Sequence, residues 1–292
     1  TASQSMLLSP DKVQHGDYRP VRCPNGVAAF PRDFQGTSLV WSNTSGYPTD
    51  KAYREFYRDI GYDLPMEYIK PYIHEPSVRV FTGYKYWAIT GHTDQKVPYQ
   101  RSEAQKRVVE HAHNFIYNLK KKGRQLSSAM GVAPLFTLAY DAELFGHWWF
   151  EGIEWLDQVI RLAAKESEEI SLVTPSLFLS KEGTSLQTAR PAFSSWGQGG
   201  YSAVWLDGSN AWTYRHIHKA IERMEELAVR FNDQISLKQR FLNQAAREVL
   251  LAMASDWPFI LFNKSSTEYA EKRVCDHLRN FNVVYGNMCK NA

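Results

Sequence analysis

The run VAPLFTLAY at 132–140 is apolar almost without interruption and stops on Asp141. Continuous rather than alternating apolarity over so short a span marks a strand covered on both faces, as in a parallel sheet. From about Phe150 to Lys165 apolar residues return at helical spacing, with Ile153, Leu156, Val159 and Ile160 expected to face inward. EISLVTPSLFL at 169–179 then reads as a second strand. Strand, helix and strand with short links confine this part of the chain to an α/β architecture, either an open parallel sheet or a barrel.

The flanking regions differ from that unit. Residues 1–65 are rich in Pro, Gly, Asn and Asp, and a loop-rich segment this long is more often functional than filler. VRVFTGYKYWAIT at 78–90 alternates and predicts a strand or hairpin. Ser102 reads as the cap of a helix carrying Val108, Ala112, Phe115 and Leu119 on one stripe, with Gly123 stopping it. After the Gly-rich stretch SSWGQGGYSAVW, amphipathic patterns over 211–231, 237–255 and 267–287 predict a small antiparallel helical bundle. The domains expected are therefore 1–190, an α/β unit, and 191–292, an α-helical unit.

Composition narrows the function classes. Of the 292 residues 43% are hydrophobic and the formal net charge is +3, which suits a globular protein without a dedicated nucleic-acid surface. No apolar run reaches the length of a membrane span. Three cysteines, Cys23, Cys275 and Cys289, lack metal spacing and are odd in number, the pattern of a reducing cytoplasm. Aromatic residues make up 14%, a surplus suited to stacking against sugar faces as well as to core packing.

The candidate chemistry sits where a strand ends. In parallel α/β folds the loops at the carboxyl ends of strands gather the ligand site. Asp141 and Glu143 occupy such an end, in YDAELFGHWWFEG. Such an end suits a general acid or a nucleophilic carboxylate, and Asp141 reads equally as a helix cap accepting amide hydrogen bonds. Asp141, Glu143 and His147 also offer oxygen and nitrogen ligands, but at no known metal spacing. His216 and His218 are a weaker pair, one expected packed and one solvated. The glycines of SSWGQGGYSAVW match neither phosphate-binding pattern, and tight turns or close approach of a ligand explain them as well. Trp196 and Trp205 beside them are packing residues or ligand platforms. No cofactor signature is present.

YDAELFGHWWFEG and SSWGQGGYSAVWL together resemble two motifs of glycoside hydrolase family 57, in its α-1,4-glucan branching enzyme subgroup. The tryptophans of the second motif stand nine residues apart, as in that subgroup. YRPVRCPNGVAAFPRD and VWSNTSGYPTDKAYREFYRDIGYDL are similar to the loop-rich region preceding the later barrel strands. The resemblance spans essentially the whole chain. It implies the C-terminal part of an incomplete (β/α)7 barrel followed by an α-helical domain, and a retaining reaction with a Glu nucleophile and an Asp acid/base. By motif, Asp141 takes the acid/base role, His147 and Trp148 line the donor side, and Trp196, Gly197 and Trp205 line the glucan cleft, with Trp41 a third aromatic. The implied partner is an α-glucan: amylose, amylopectin or glycogen.

One motif of the family is absent. The nucleophile belongs to a stretch resembling WLPECAY, and nothing like it occurs here. The reading is that an N-terminal half of the same enzyme supplies it, and that Glu143 does not. Three functions follow for comparison: a branching enzyme, an α-amylase or 4-α-glucanotransferase of the same family, and a non-catalytic glucan-binding remnant. A barrel portion alone would expose unpaired strand edges, so the separate chain is expected to be poorly soluble or partly unfolded.

Overall fold

The computed structural model describes residues 9–75, 77–232 and 237–290. The first eight residues of the loop-rich region lie outside them. The chain divides into two compact units, meeting in sequence between Ala192 and Phe193.

The unit up to Ala192 is built around two helices running in the same direction, α2 (Arg101–Met130) and α3 (Gly152–Lys165), with Arg101 paired to Glu154 near their starts and Lys120 to Glu166 near their ends. A shorter helix, α1 (Phe34–Trp41), starts at Asp33, whose carboxylate accepts the Gly36 amide. The core is aromatic. The Trp155 ring lies 5.0 Å from Phe115 and 5.4 Å from Trp149, which in turn lies 5.4 Å from Tyr53. All four side chains are buried. Aromatic pairs at such distances add to the burial of their large apolar surface. The only sheet among the described residues is a two-stranded antiparallel one, β1 (Val21–Arg22) with β2 (Ala28–Ala29).

Several expectations are corrected here. The run 132–140 is extended but not a strand, because it meets a single bridge, Thr137 with Arg32, and no neighbouring strand among the described residues. Within 169–179 the C-terminal half is helical: α4 spans Pro175–Glu182. Thr174 caps it by accepting the Leu177 amide, and Pro175 at the first helical position suits a helix start. Of 78–90, only the end near Trp87 and Ala88 forms bridges, to Pro98 and Arg54. The earlier part is bent because the Asp59 carboxylate takes the Thr82 and Gly83 amides.

Helix α2 begins after Gln100 rather than at Ser102, and passes through Gly123 to end at Gly131, whose φ of 70° suits a glycine. A mid-helix Gly costs about 1 kcal/mol relative to Ala. Ion pairs on either side, Lys122 with Asp33 and Arg124 with Glu169, hold the helix across it. Helix α3 is rotated from expectation. It buries Gly152, Trp155, Val159 and Ala163, and leaves Ile153 and Ile160 exposed at 61% and 47%.

The second unit is helical: α5 (Trp212–Arg230), α6 (Leu237–Ala252), α7 (Asp256–Asn263) and α8 (Thr267–Lys290). Leu227, Ala245, Val249 and Phe281 form its main core, and Trp257, Leu261, Ala270 and Val274 a smaller one. The eight-residue α7 was not expected. DWPFILFN has no polar face to reveal a helical period, yet Trp257 and Leu261, four apart, pack inward. His277 and Glu248 form a buried pair between α8 and α6 at 2.7 Å. His216 and His218 are both exposed, against the expectation that one packs. The three cysteines are free. No helix among the described residues is long and apolar enough to cross a membrane.

Candidate functional site

Asp141 stands at the start of a single 3-10 turn, Ala142–Leu144. Its backbone carbonyl accepts the Leu144 amide at 3.2 Å, while its side chain makes no capping hydrogen bond. The half-buried carboxyl is thus not used as a helix cap. The turn exists because the following chain folds back on itself. The Trp149 amide donates to the Leu144 carbonyl, and the Gly146 amide, from a φ of 92°, donates to the Trp149 carbonyl. That fold-back buries Trp149 and directs His147 and Trp148 to the surface.

Trp148, 45% exposed, lies in a tilted stack on Phe56, with ring centres 4.2 Å apart. The His147 ring meets Phe56 edge-on at 5.3 Å. Trp148 and Leu144 line a cavity of about 1000 Å³, and Trp41, at the end of α1, lines it too. The structure therefore brings Trp41 and Trp148 onto one cavity from separate elements. Asp141 is not among the residues lining it. Arg54, Glu55, Phe56, His92, Asp94 and Lys96 complete much of the wall. These residues come from the loop-rich region and from the 89–96 loop, and no motif marked them. The available signals were the length of the loop-rich segment and, for Arg54, Glu55 and Phe56, the likeness of residues 40–64 to the loop-rich region of the family.

One buried ion pair lies on the cavity wall, and a buried carboxyl stands behind it. Lys96 Nζ is 3.6 Å from Glu55, with both side chains largely buried. The Arg54 amide donates to Glu151 Oε1 at 3.2 Å, and the Arg54 guanidinium lies 3.6 Å over the Phe150 ring. Glu151 is fully buried. Burial pushes its carboxyl above the usual range, and Tyr99 and Arg54 offset this only in part. Burial also raises the neighbouring Tyr99 hydroxyl to about 12 and lowers His111, which is hydrogen-bonded to the Tyr53 hydroxyl at 2.8 Å. No group of three or more His, Cys, Asp or Glu side chains among the described residues converges as metal ligands.

Trp196, Gly197 and Trp205 belong to the second unit. There the Trp205 indole N–H donates to the Trp196 carbonyl at 2.6 Å, so the two tryptophans share one loop structure. Gly197 makes this possible with a φ of 100°, and a Cβ there would lie 3.1 Å from the Val204 side chain. Asn210 pins the loop to the bundle by donating to the carbonyls of Val204 and Pro258. Trp196 remains 49% exposed, and Trp205 is half-buried with its ring stacked on Phe259 at 6.2 Å.

Comparison with known proteins shows what the chain is similar to. Residues 216–292 match the family model described as 1,4-alpha-glucan branching enzyme, C-terminal. The chain is 33% identical over 271 residues to a 1,4-alpha-glucan branching enzyme of Thermococcus kodakarensis, covering 91% of this chain and 37% of that protein. Among solved structures it is similar to the alpha-amylase AmyC of Thermotoga maritima, with a TM-score of 0.81 and 41% identity over 99% of this chain and 54% of that one. It is likewise similar to the GH57-type branching enzyme of Pyrococcus horikoshii, with a TM-score of 0.78 and 35% identity over 92% and 46%. The chain spans between 37% and 51% of the length of the curated relatives it matches. The resemblance carried by the two motifs thus holds over nearly the whole chain, which corresponds to the C-terminal part of branching enzymes of glycoside hydrolase family 57.

Proposed function

We propose that this chain supplies the acid/base side and the glucan-binding aromatics of a retaining 1,4-α-glucan branching enzyme. Asp141 protonates the leaving glycosidic oxygen and later takes the proton of the acceptor. A Glu nucleophile, from an N-terminal half that this chain does not include, attacks the anomeric carbon. Retaining transfer of this kind places the two carboxyl groups about 5–5.5 Å apart. If the acceptor is the 6-hydroxyl of another glucan, the product is an α-1,6 branch, and if it is water, the product is a shorter chain. The barrel is the expected frame: residues 1–190 would form the C-terminal part of an incomplete (β/α)7 barrel, completed by the other half, with the α-helical unit following. His147 and Trp148 face the donor, and Trp41, Trp196, Gly197 and Trp205 serve the glucan cleft.

The observation that carries the glucan-binding part of this reading is the cavity lined by both Trp41 and Trp148, while the role of Asp141 rests on its motif. Two residues assigned to glucan by motif, from distant parts of the sequence, share one concave surface with aromatic and polar walls. Sites for small ligands are typically concave, with a few placed polar groups. The similarity to branching enzymes supplies the reaction class.

A second reading is hydrolysis, as by an α-amylase of the same family. The 41% identity to the Thermotoga structure favours it. One assay separates the two. The chain, joined to an upstream segment carrying the nucleophile, is incubated with amylose, and α-1,6 linkages are counted after debranching. Branching predicts new linkages, lost in Asp141→Asn with retained malto-oligosaccharide binding. Fewer iodine-staining chains without new linkages would favour hydrolysis. Full activity in Asp141→Asn would overturn the assignment of that residue.

A further inference from the structure

Beyond the Trp148 edge of the cavity the aromatic surface continues. Lys85 Nζ sits 4.4 Å over the Phe56 ring, the same ring that stacks on Trp148, and 5.4 Å over Phe81. Phe81 in turn lies 4.8 Å from Tyr62. Trp148, Phe56, Lys85, Phe81 and Tyr62 therefore form one unbroken row. Phe81 and Tyr62 are 64% and 47% exposed.

The row is held rigidly although its rings are open to water. Asp59, itself fully buried, accepts from the Gly61, Thr82 and Gly83 amides and from the Thr82 hydroxyl. That one carboxylate fastens the segment bearing Tyr62 to the segment bearing Phe81. Arg79 adds to it by donating to the carbonyls of Gly61 and Leu64 at 2.7 and 2.9 Å. A Cβ at Gly61 would fall 2.0 Å from the Val80 carbonyl oxygen, so the two segments approach as closely as a glycine permits. Lys85 closes the near end by donating to the Phe56 carbonyl. Large rings fixed in solvent by a dedicated buried network mark a binding surface.

We infer that this row is an extended track for an α-1,4-glucan chain, leading away from the cavity along Phe56, Phe81 and Tyr62. The inference rests on the reading of the cavity as a glucan site. The chemistry favours a sugar over a protein face. Lys is depleted from the cores of protein interfaces, and here an ammonium lies between two rings of the row. Tyr62 brings a hydroxyl to the edge of its ring, and rings with polar tips suit a ligand that has apolar faces and hydroxyl rims. Continuity with Trp148 gives a polymer already lying in the cavity a surface on which to continue. The track would bind residues remote from the reacting bond, so it would discriminate by chain length.

The test is calorimetric titration, with maltotriose and maltoheptaose, of this chain joined to the upstream segment carrying the nucleophile, in an Asp141→Asn background that binds without turnover. Phe81→Ala and Tyr62→Ala should each weaken maltoheptaose about five-fold, about 1 kcal/mol, and leave maltotriose unchanged. Trp148→Ala should weaken both. If Trp148→Ala weakens both sugars but Phe81→Ala and Tyr62→Ala weaken neither, the track is wrong and the cavity reading stands. If Trp148→Ala changes neither sugar, the cavity reading fails and the track falls with it. If Phe81→Ala alters the oligomeric state in light scattering while sugar affinities stay the same, the row is a face for a second copy, which also overturns the track.

Discussion

Replacing Asp59 by Asn tests the network that fixes the aromatic row, and its cost follows from the four hydrogen bonds the carboxylate accepts. Oδ1 accepts the Gly61 amide at 2.9 Å, the Thr82 amide at 3.0 Å and the Thr82 hydroxyl at 2.7 Å, and Oδ2 accepts the Gly83 amide at 2.9 Å. An amide side chain has one acceptor oxygen. In either orientation its NH2 must face an N–H. The cheaper orientation keeps the three bonds at Oδ1 and sets NH2 against Gly83. One hydrogen bond to a charged acceptor is lost, about 1.5–3 kcal/mol, and the other three lose charge assistance. The opening free energy of this loop should fall by about 2–3 kcal/mol. Hydrogen exchange at the amides of Gly61, Thr82 and Gly83 should then be faster by roughly 30- to 140-fold.

Acid provides a second readout of the same contact. Burial alone would raise the Asp59 carboxyl, but the bonds from Thr82, Gly61 and Gly83 outweigh it and hold the group below its ordinary value of 3.8. A depressed carboxylate contributes its stability fully above the unfolded value and loses it as pH falls through the folded one. Wild-type protection should therefore decline below about pH 3.8, while the Asn variant should lack that step. Unchanged exchange at all three amides in Asp59→Asn would refute the claim that this carboxylate ties the two segments.

Two further substitutions probe the two units separately. Glu151→Gln removes a buried carboxyl whose pKa burial raises. A raised folded value means that stability is lost as pH climbs from the ordinary value of 4.5 through the folded one, so the Gln variant should melt at least as high as wild type at pH 8, with a flatter pH profile. Gly197→Ala forces a residue with a Cβ into a φ of 100° and sets it 3.1 Å from Val204. It should cost at least ~1–2 kcal/mol of left-handed strain, seen as a lower melting temperature and altered tryptophan fluorescence as the Trp196–Trp205 contact loosens.

What the sequence disclosed depended on how local the determining contacts are. The bundle helices were legible because their apolar stripes repeat within one segment, and the ends of α5 and α6 follow from that repeat. Helix α7 was hidden because Phe259, Ile260 and Phe262 fill in the face that would otherwise be polar. Strand assignments failed for a different reason. A run such as 132–140 acquires strand character only by pairing, and the described residues give it one bridge. Of the candidate site residues, Asp141, His147 and Trp148 are named from one short motif, and of these Trp148 lines the cavity. Phe56, Arg54 and Lys96 could not be so named, since nothing near them in sequence reports that they meet Trp148 across a cavity.

The error at α3 carries its own information. Its apolar residues were assigned to one stripe, yet they divide between two faces: Trp155, Val159 and Ala163 face the core, while Ile153, Leu156 and Ile160 lie outward. The second set recurs at spacings of three and four, a helical stripe in its own right. A helix that is apolar on both faces is ordinarily one buried in a larger body. Leaving that outer stripe in water forgoes about 25 cal/mol for every Å² of apolar surface that a neighbour would cover. The same holds for the extended run 132–140, which is apolar but nearly unpaired. Both features support the proposal that a further half of the enzyme packs here. They also explain the misassignment: periodicity identifies which residues seek cover, but not whether the cover comes from this chain or from another.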